Sequence, residues 1–417
     1  MGKTMQLTDI QSHKLGGVFE VVYKLIVDKE PFDLKYTVSS MGANPEQNQI
    51  DFVPNLCDPV VVSLMYNMLV EGYDFESQIP MSDALYHRLT KDFIPHVVSM
   101  SKGKAKSVKL NVPVSDAKLQ KQAEWVGTGV SCGIDSFSAI KEYSQETSKA
   151  YQLTHLLYFK IGAHHGRMYP CPEKVENKIF QEELAIANRF CEQNGYKLVV
   201  VDSNINQMAN KFWGAIPFGN VASFRNVGVM LMLQAYFSKY VFATTYATFN
   251  DFDMDISAGL EHNLWWSMPL FSSGSMEPVP AGSSMTRIEK TVFLADFKPA
   301  FDNLMVCWAG HINCGECDKC IRTLVALDFI GALDNFRKSF DVERYKKNRK
   351  RHLQHVVTYA SRDPFFRELC DYAKSNRIPM PNKLVSVINE YWRLTRNSRL
   401  KEVPGLAFRR IKSLMSK

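Results

Sequence analysis

Four cysteines fall within fourteen residues, Cys307, Cys314, Cys317 and Cys320, the last three spaced C-x2-C-x2-C. Each two-residue gap lets the chain fold back around one ion, and Gly315 relieves the turn. A closed shell of four sulfurs points to a structural, tetrahedral zinc site; an iron–sulfur cluster is the other group such thiolates select. His311 is a candidate substitute ligand. A second stretch with chemistry in it is Ser131-Cys132-Gly133-Ile134-Asp135-Ser136. Small residues there let backbone N–H groups approach an anion, so a phosphate or pyrophosphate is the expected guest. Asp135 would help hold the Mg²⁺ that accompanies it. A glycine-bearing strand-to-helix turn in any α/β protein has similar letters.

The elements around these residues alternate. An apolar run from Trp125 leads into the Ser131–Ser136 turn, and a helical pattern follows it. A second apolar strand starts near Leu153, a helix covers Glu182 to Asn194, and KLVVVDSN from Lys197 reads as a third strand ending in an Asp. Strand–helix–strand order predicts a doubly wound parallel sheet with ligands at the carboxyl ends of the strands, where the turn, His164, His165 and Asp202 would gather. A helix is expected from Ser223 to Tyr240, and VFATTYATFNDFDMD reads as a strand and an acidic loop. The N-terminal residues GGVFEVVYKLIVDKEPFDLKYTVSS read as two or three antiparallel strands. An amphipathic stripe covers Asp58 to Tyr73, and another helix is expected from Ser82 to about Met100.

Ser131 to Ser136 resembles the SGGxDS signature of the PP-loop ATP pyrophosphatases, with Cys132 where the family usually has Gly. Taken with the four cysteines about 180 residues later, the pattern resembles the 7-cyano-7-deazaguanine synthases in order and spacing over residues 122–335. Arg225-Asn226 is similar to the Arg-Asn at a helix start in that family. Asn250, Asp251, Asp253 and Asp255 occupy the place of its Asn and acidic residues near substrate. SSMTRIEKTVFLADF looks like its short Ser/Thr-Lys-x-Glu region, although Thr286 and Glu289 also make a plain capping box.

The resemblance implies an α/β fold: a doubly wound parallel sheet of the PP-loop (HUP-like) type, carrying an N-terminal α+β module (1–112), a zinc knuckle (307–320) within the PP-loop domain (122–335), and a basic, mainly helical region (336–417). It implies ATP and Mg²⁺ as cofactors beside structural Zn²⁺. Asp135 and Arg225 would be catalytic, and Ser131, Cys132, Gly133, Ile134, Asp135, Ser136 and Asn226 would contact the nucleotide. The implied chemistry is activation of a carboxylate, of the 7-carboxy-7-deazaguanine kind, as an acyl-adenylate, followed by attack of ammonia or an amine. A sugar amidotransferase-like enzyme of surface-polysaccharide synthesis and a non-catalytic nucleotide-binding scaffold are the alternatives. A homodimer fits the family's habit.

Composition agrees with a large globular chain: 417 residues, 46% hydrophobic and 22% charged. No secretory leader or long apolar span is evident, which predicts no membrane anchorage and a cytoplasmic location, where nine cysteines stay reduced. Charge is uneven. Residues 336–417 carry 21 Lys and Arg against 7 Asp and Glu, and the rest of the chain is net acidic. That segment could meet nucleic acid, a protein partner or the acidic body of its own chain, and a solvated helical face with internal pairing is the simplest expectation.

Overall fold

The structure, a computed structural model, describes residues 2–165, 171–245, 264–307 and 312–388. The expectations placed on Asn250, Asp251, Asp253, Asp255 and His311 lie outside the described residues, as does the basic region beyond 388. Two compact units emerge, one of Met1–Ser131 and Asp135–Ser284, the other of Cys132–Ile134 and Met285–Lys417.

The first unit begins with β1 (Lys3–Leu15), β2 (Val18–Val27) and β3 (Glu30–Gly42), an antiparallel meander. Helix α1 (Asp58–Glu71) follows, then β4 (Tyr73–Ser77), β5 (Met81–Ser82), α2 (Asp83–His87), a π-helical turn at Arg88–Phe93, α3 (Ile94–Met100), β6 (Leu110–Asn111) and β7 (Val114–Ser115). The expected Ser82–Met100 helix is thus present, with a π turn in its middle. Next come β8 (Trp125–Gly129), α4 (Ile134–Ser144), β9 (His155–Lys160), α5 (Glu173–Asn194), β10 (Lys197–Ser203), α6 (Ile205–Phe212), α7 (Phe218–Met232), β11 (Phe237–Ala243), α8 (Leu264–Ser267) and β12 (Glu277–Ala281).

Ten of these strands form one sheet in the order β12-β11-β8-β9-β10-β3-β2-β1-β4-β6. The run β12-β11-β8-β9-β10 is parallel throughout. Counted along the chain from β8, it has the doubly wound order 3-2-1-4-5, with the β8 strand at the switch between its two halves. Strands covered on both faces should read as continuous apolar runs, and β9 is buried at every residue. By contrast, β3 has one more exposed face and pairs antiparallel with β10, from Tyr36↔Ser203 to Gly42↔Lys197. The N-terminal strands therefore extend the parallel sheet, and the compact units do not divide at the expected 112–122 and 335–336 boundaries. Backbone pairing across β3 and β10 is what merges the first module into the unit.

Two local expectations change. Helix α1 shows an apolar stripe in sequence, yet Asp58 through Leu69 are all buried. Helix α7 covers its other side at a close crossing: a Cβ on Gly228 would come 1.9 Å from Ser63 Oγ and 2.8 Å from the Pro59 carbonyl oxygen. Only a glycine allows the backbones to approach so closely. The expected Ser223–Tyr240 helix instead starts at Phe218 and ends at Met232, because residues 237–243 are drawn into the sheet as β11.

The second unit is helical: α9 (Arg287–Phe293), α10 (Lys298–Phe301), α11 (Asp318–Phe329), α12 (Val342–Tyr359) and α13 (Pro364–Ser375). Its helices start where sequence chemistry says they should. Thr286 Oγ1 accepts from the Glu289 N–H and Glu289 Oε2 accepts from the Thr286 N–H, completing a capping box, while Asp341 and Asp363 cap α12 and α13. Helix α11 packs against α9, α12 and α13. Among the described residues, no helix is long and apolar enough to cross a membrane.

Candidate metal centre and anion-binding turn

Cys307, Cys314, Cys317 and Cys320 converge, with their four Sγ atoms all within 4.8 Å of one another. The Cys307–Cys317 pair is 3.9 Å apart and the Cys314–Cys320 pair 4.0 Å. Sulfurs bound to one zinc at about 2.3 Å stand about 3.8 Å apart along the edges of a tetrahedron. The set therefore fits a single ion with little movement. In a four-iron cluster each thiolate sits on its own iron, which demands wider spacing. Charge supports the same conclusion: the neighbouring Cys317 thiol, and then burial, push the Cys320 thiol far above its ordinary range. Four thiolates at this separation repel each other, and only a cation among them makes the fully ionised set stable.

Local structure supports the cluster. Asn313 Nδ2 donates to the Leu304 carbonyl at 2.7 Å and to the Ser339 carbonyl at 2.9 Å, and its Oδ1 accepts from the Val306 N–H at 2.9 Å. Gly315 takes φ 71, as expected of the residue that turns the chain. The Glu316 N–H points to Cys314 Sγ at 3.5 Å, an outer contact of the kind that orients metal thiolates. Asn313 and Glu316 were not singled out in the sequence, where a polar letter beside a cysteine carries no signal of its own.

The Ser131–Ser136 turn lies directly after β8, the strand at the sheet's switch point, and runs into the first turn of α4. Asp135 falls in that first turn, and Ser131 Oγ donates to Ser136 Oγ at 3.2 Å. Cys132 is buried and has φ 55, in the left-handed region. A glycine would adopt this conformation without penalty; a cysteine does so at about 1 kcal/mol. Its carbonyl accepts from the Met305 N–H at 2.7 Å.

Arg225 and Asn226 are not at a helix start. Arg225 is the eighth residue of α7, only 1% exposed, and its Nη1 donates to the Ile161 carbonyl at 2.7 Å and to Asn206 Oδ1 at 3.4 Å. Gly162, with φ 111, makes room for it: a Cβ there would lie 2.7 Å from Arg225 Nη1. The guanidinium braces the chain just past β9 from inside the fold. Asn226 Nδ2 donates to the Ala222 carbonyl at 2.7 Å and its Oδ1 accepts from Tyr240 Oη at 3.2 Å, so its amide joins α7 to β11.

The pair of histidines after β9 divides. His164 is buried, with Nδ1 2.7 Å from Glu183 Oε2 and Nε2 3.0 Å from the Phe159 carbonyl, which ties the loop to α5. His165 is partly exposed. Asp202, at the end of β10, accepts from buried Lys160 Nζ at 2.9 Å.

Helix α12, the core of the basic region, is paired within its own unit. Arg344 and Arg351 reach Glu316 at 3.1 and 2.8 Å, Arg349 reaches Asp328 at 2.7 Å, Lys346 reaches Asp334 at 3.0 Å, and His355 reaches Asp318 at 2.8 Å. Compared with protein-family models, with curated proteins and with solved structures, the chain matches none.

Proposed function

We propose that this chain is an ATP-dependent carbon–nitrogen ligase of the PP-loop ATP pyrophosphatase class, similar to the 7-cyano-7-deazaguanine synthases, with structural zinc at Cys307, Cys314, Cys317 and Cys320. One observation carries the proposal: a small-residue turn joins the switch-point strand β8 to the N-terminus of α4, the place where doubly wound sheets bind ligands and helix ends favour anions.

A carboxylate is a poor electrophile because its leaving oxygen is strongly basic. In the proposed reaction a carboxylate oxygen of the substrate attacks the α-phosphorus of ATP. The bond from that phosphorus to the bridging oxygen breaks and pyrophosphate departs. Ammonia or an amine then attacks the acyl carbon, the bond to the AMP oxygen breaks, and the extra proton on nitrogen passes to solvent. The protein contributes positioning and charge stabilisation. Amides of the Ser131–Ser136 turn would hold the pyrophosphate, and Asp135 its Mg²⁺. Arg225 would act by bracing the loop past β9, not by touching phosphate. A small carboxylate of the 7-carboxy-7-deazaguanine kind is the proposed substrate, and the cytoplasm, where cluster thiols remain reduced, is the proposed setting.

The scaffold reading has one specific observation in its favour, the cysteine at a left-handed position where glycine is the natural residue. Release of AMP and pyrophosphate from ATP and Mg²⁺ by the zinc-loaded protein, with and without 7-carboxy-7-deazaguanine, tests both. Stimulated release supports the ligase. A folded protein that binds ATP and releases nothing with this carboxylate or any other small carboxylate supports the scaffold.

A further inference from the structure

Two acidic residues of the cysteine cluster face one stripe of α12. Glu316, between Cys314 and Cys317, bonds Arg344 at 3.1 Å and Arg351 at 2.8 Å. These arginines are seven residues apart and so project from the same side of a helix. Asp318, the residue after Cys317, accepts from His355 Nε2 at 2.8 Å, four residues further along that side. The entry to α12 is tied as well, since Asn313, next to Cys314, bonds the Ser339 carbonyl two residues before the Asp341 cap. Beneath this stripe the His352 ring is buried and stacks on Tyr345, with centroids 5.2 Å apart, and Tyr345 Oη donates to Asp328 of α11 at 3.0 Å.

We propose that the metal and α12 form one cooperative unit, so that the ion, by fixing the Cys307–Cys320 segment, clasps α12 in place, and with it α13, which packs on α12, and keeps the basic stripe of α12 neutralised. Each exposed ion pair alone contributes little. Their geometry depends on residues 312–317, which form no helix or strand, and a four-sulfur centre is what makes such a segment rigid. Metal loss therefore removes the platform to which Arg344, Arg351 and His355 are bound. This step rests on the reading of the four cysteines as a metal site.

Hydrogen exchange of the full-length protein, with zinc content measured first, tests the inference. One equivalent of zinc should bind, and stripping it should accelerate amide exchange at least tenfold both at 314–329 and at 342–375. Faster exchange confined to 314–329 would overturn the clasp and leave the metal site standing; a protein that binds no zinc would overturn both. The double variant Glu316→Gln, Asp318→Asn keeps all four cysteines. Loaded with zinc, it should show faster exchange at 342–375 and unchanged protection at 320–329, whereas wild-type exchange at 342–375 would refute the role of these two carboxylates.

Discussion

The carbonyl of Cys132 accepts a hydrogen bond from the N–H of Met305 at 2.7 Å. One partner lies in the proposed anion-binding turn and the other stands two residues before Cys307, the first cysteine of the cluster. The hydrogen bond gives the cysteine cluster, the proposed metal site, a short mechanical route to the turn. Removing zinc with a chelator is expected to weaken ATP binding at least fivefold, measured by titration calorimetry on loaded and stripped protein. Equal affinity in the two forms would show that Met305 holds its position without the metal.

The φ of 55 at Cys132 sets a second expectation. Cys132→Gly removes the steric penalty of the left-handed conformation and loses a buried sulfur, so the two effects, each about 1 kcal/mol, nearly cancel. Cys132→Val places a β-branched side chain where it is least tolerated and should cost about 2 kcal/mol. Urea denaturation of both variants should show a midpoint close to wild type for glycine and a clearly lower one for valine. Equal midpoints would contradict the left-handed geometry.

Asp135 and Arg225, paired by resemblance as catalytic residues, should behave differently. Asp135→Ala removes a carboxylate from the first turn of α4, a loss of up to about 1 kcal/mol, and is expected to abolish pyrophosphate release with nearly unchanged melting. Arg225→Ala leaves the buried Ile161 carbonyl without its donor and opens a void, which should cost roughly 2–4 kcal/mol. Thermal melting and product release measured on both variants separate the roles. An Arg225→Ala protein that melts like wild type and fails only in turnover would restore the arginine to direct contact with substrate.

Legibility from sequence followed the range of the interactions. The cysteine cluster was readable because its ligands are local and their spacing is itself the geometry. The parallel strands are readable because burial on both faces leaves a continuous apolar core, as from Leu156 to Phe159 in β9. Strand β1 was missed: only Met5 and Leu7 are buried in it, and its outer half is exposed on both sides, so no alternation marks it. The covered polar side of α1 was equally hidden, since it depends on Gly228 meeting Ser63 from far along the chain. Resemblance places Arg225-Asn226 at a helix start near Ser223, but the residues from Phe218 onward already form the first turns of α7. The acidic residues that hold α12 carry no sequence pattern, because an ion pair depends on where two distant stretches of chain meet.

His155 makes stability depend on pH. It lies at the start of β9, 1% exposed, stacked on Trp125 with centroids 4.1 Å apart, and its Nδ1 is 2.8 Å from Thr154 Oγ1 while Nε2 is buried and has no hydrogen-bond partner among the described residues. Burial, and then the charge of Lys197, lower its pKa from 6.5 to about 3. The folded state thus resists a proton that the unfolded chain accepts below pH 6.5, so the unfolded state binds more protons between about pH 3 and 6.5. This contribution to stability is complete above pH 6.5 and declines as pH falls through that window, by at most about 1.4 kcal/mol per pH unit. Between pH 6.5 and 5.0 the loss from this one residue should approach about 2 kcal/mol. His155→Gln keeps a polar side chain near Thr154 and cannot titrate. Urea unfolding of both proteins at pH 7.5, 6.5 and 5.0 should give a difference in stability that shrinks towards acid pH, because only the wild type loses the histidine contribution. Parallel curves over that range would mean that His155 accepts its proton equally well in the folded and unfolded chain.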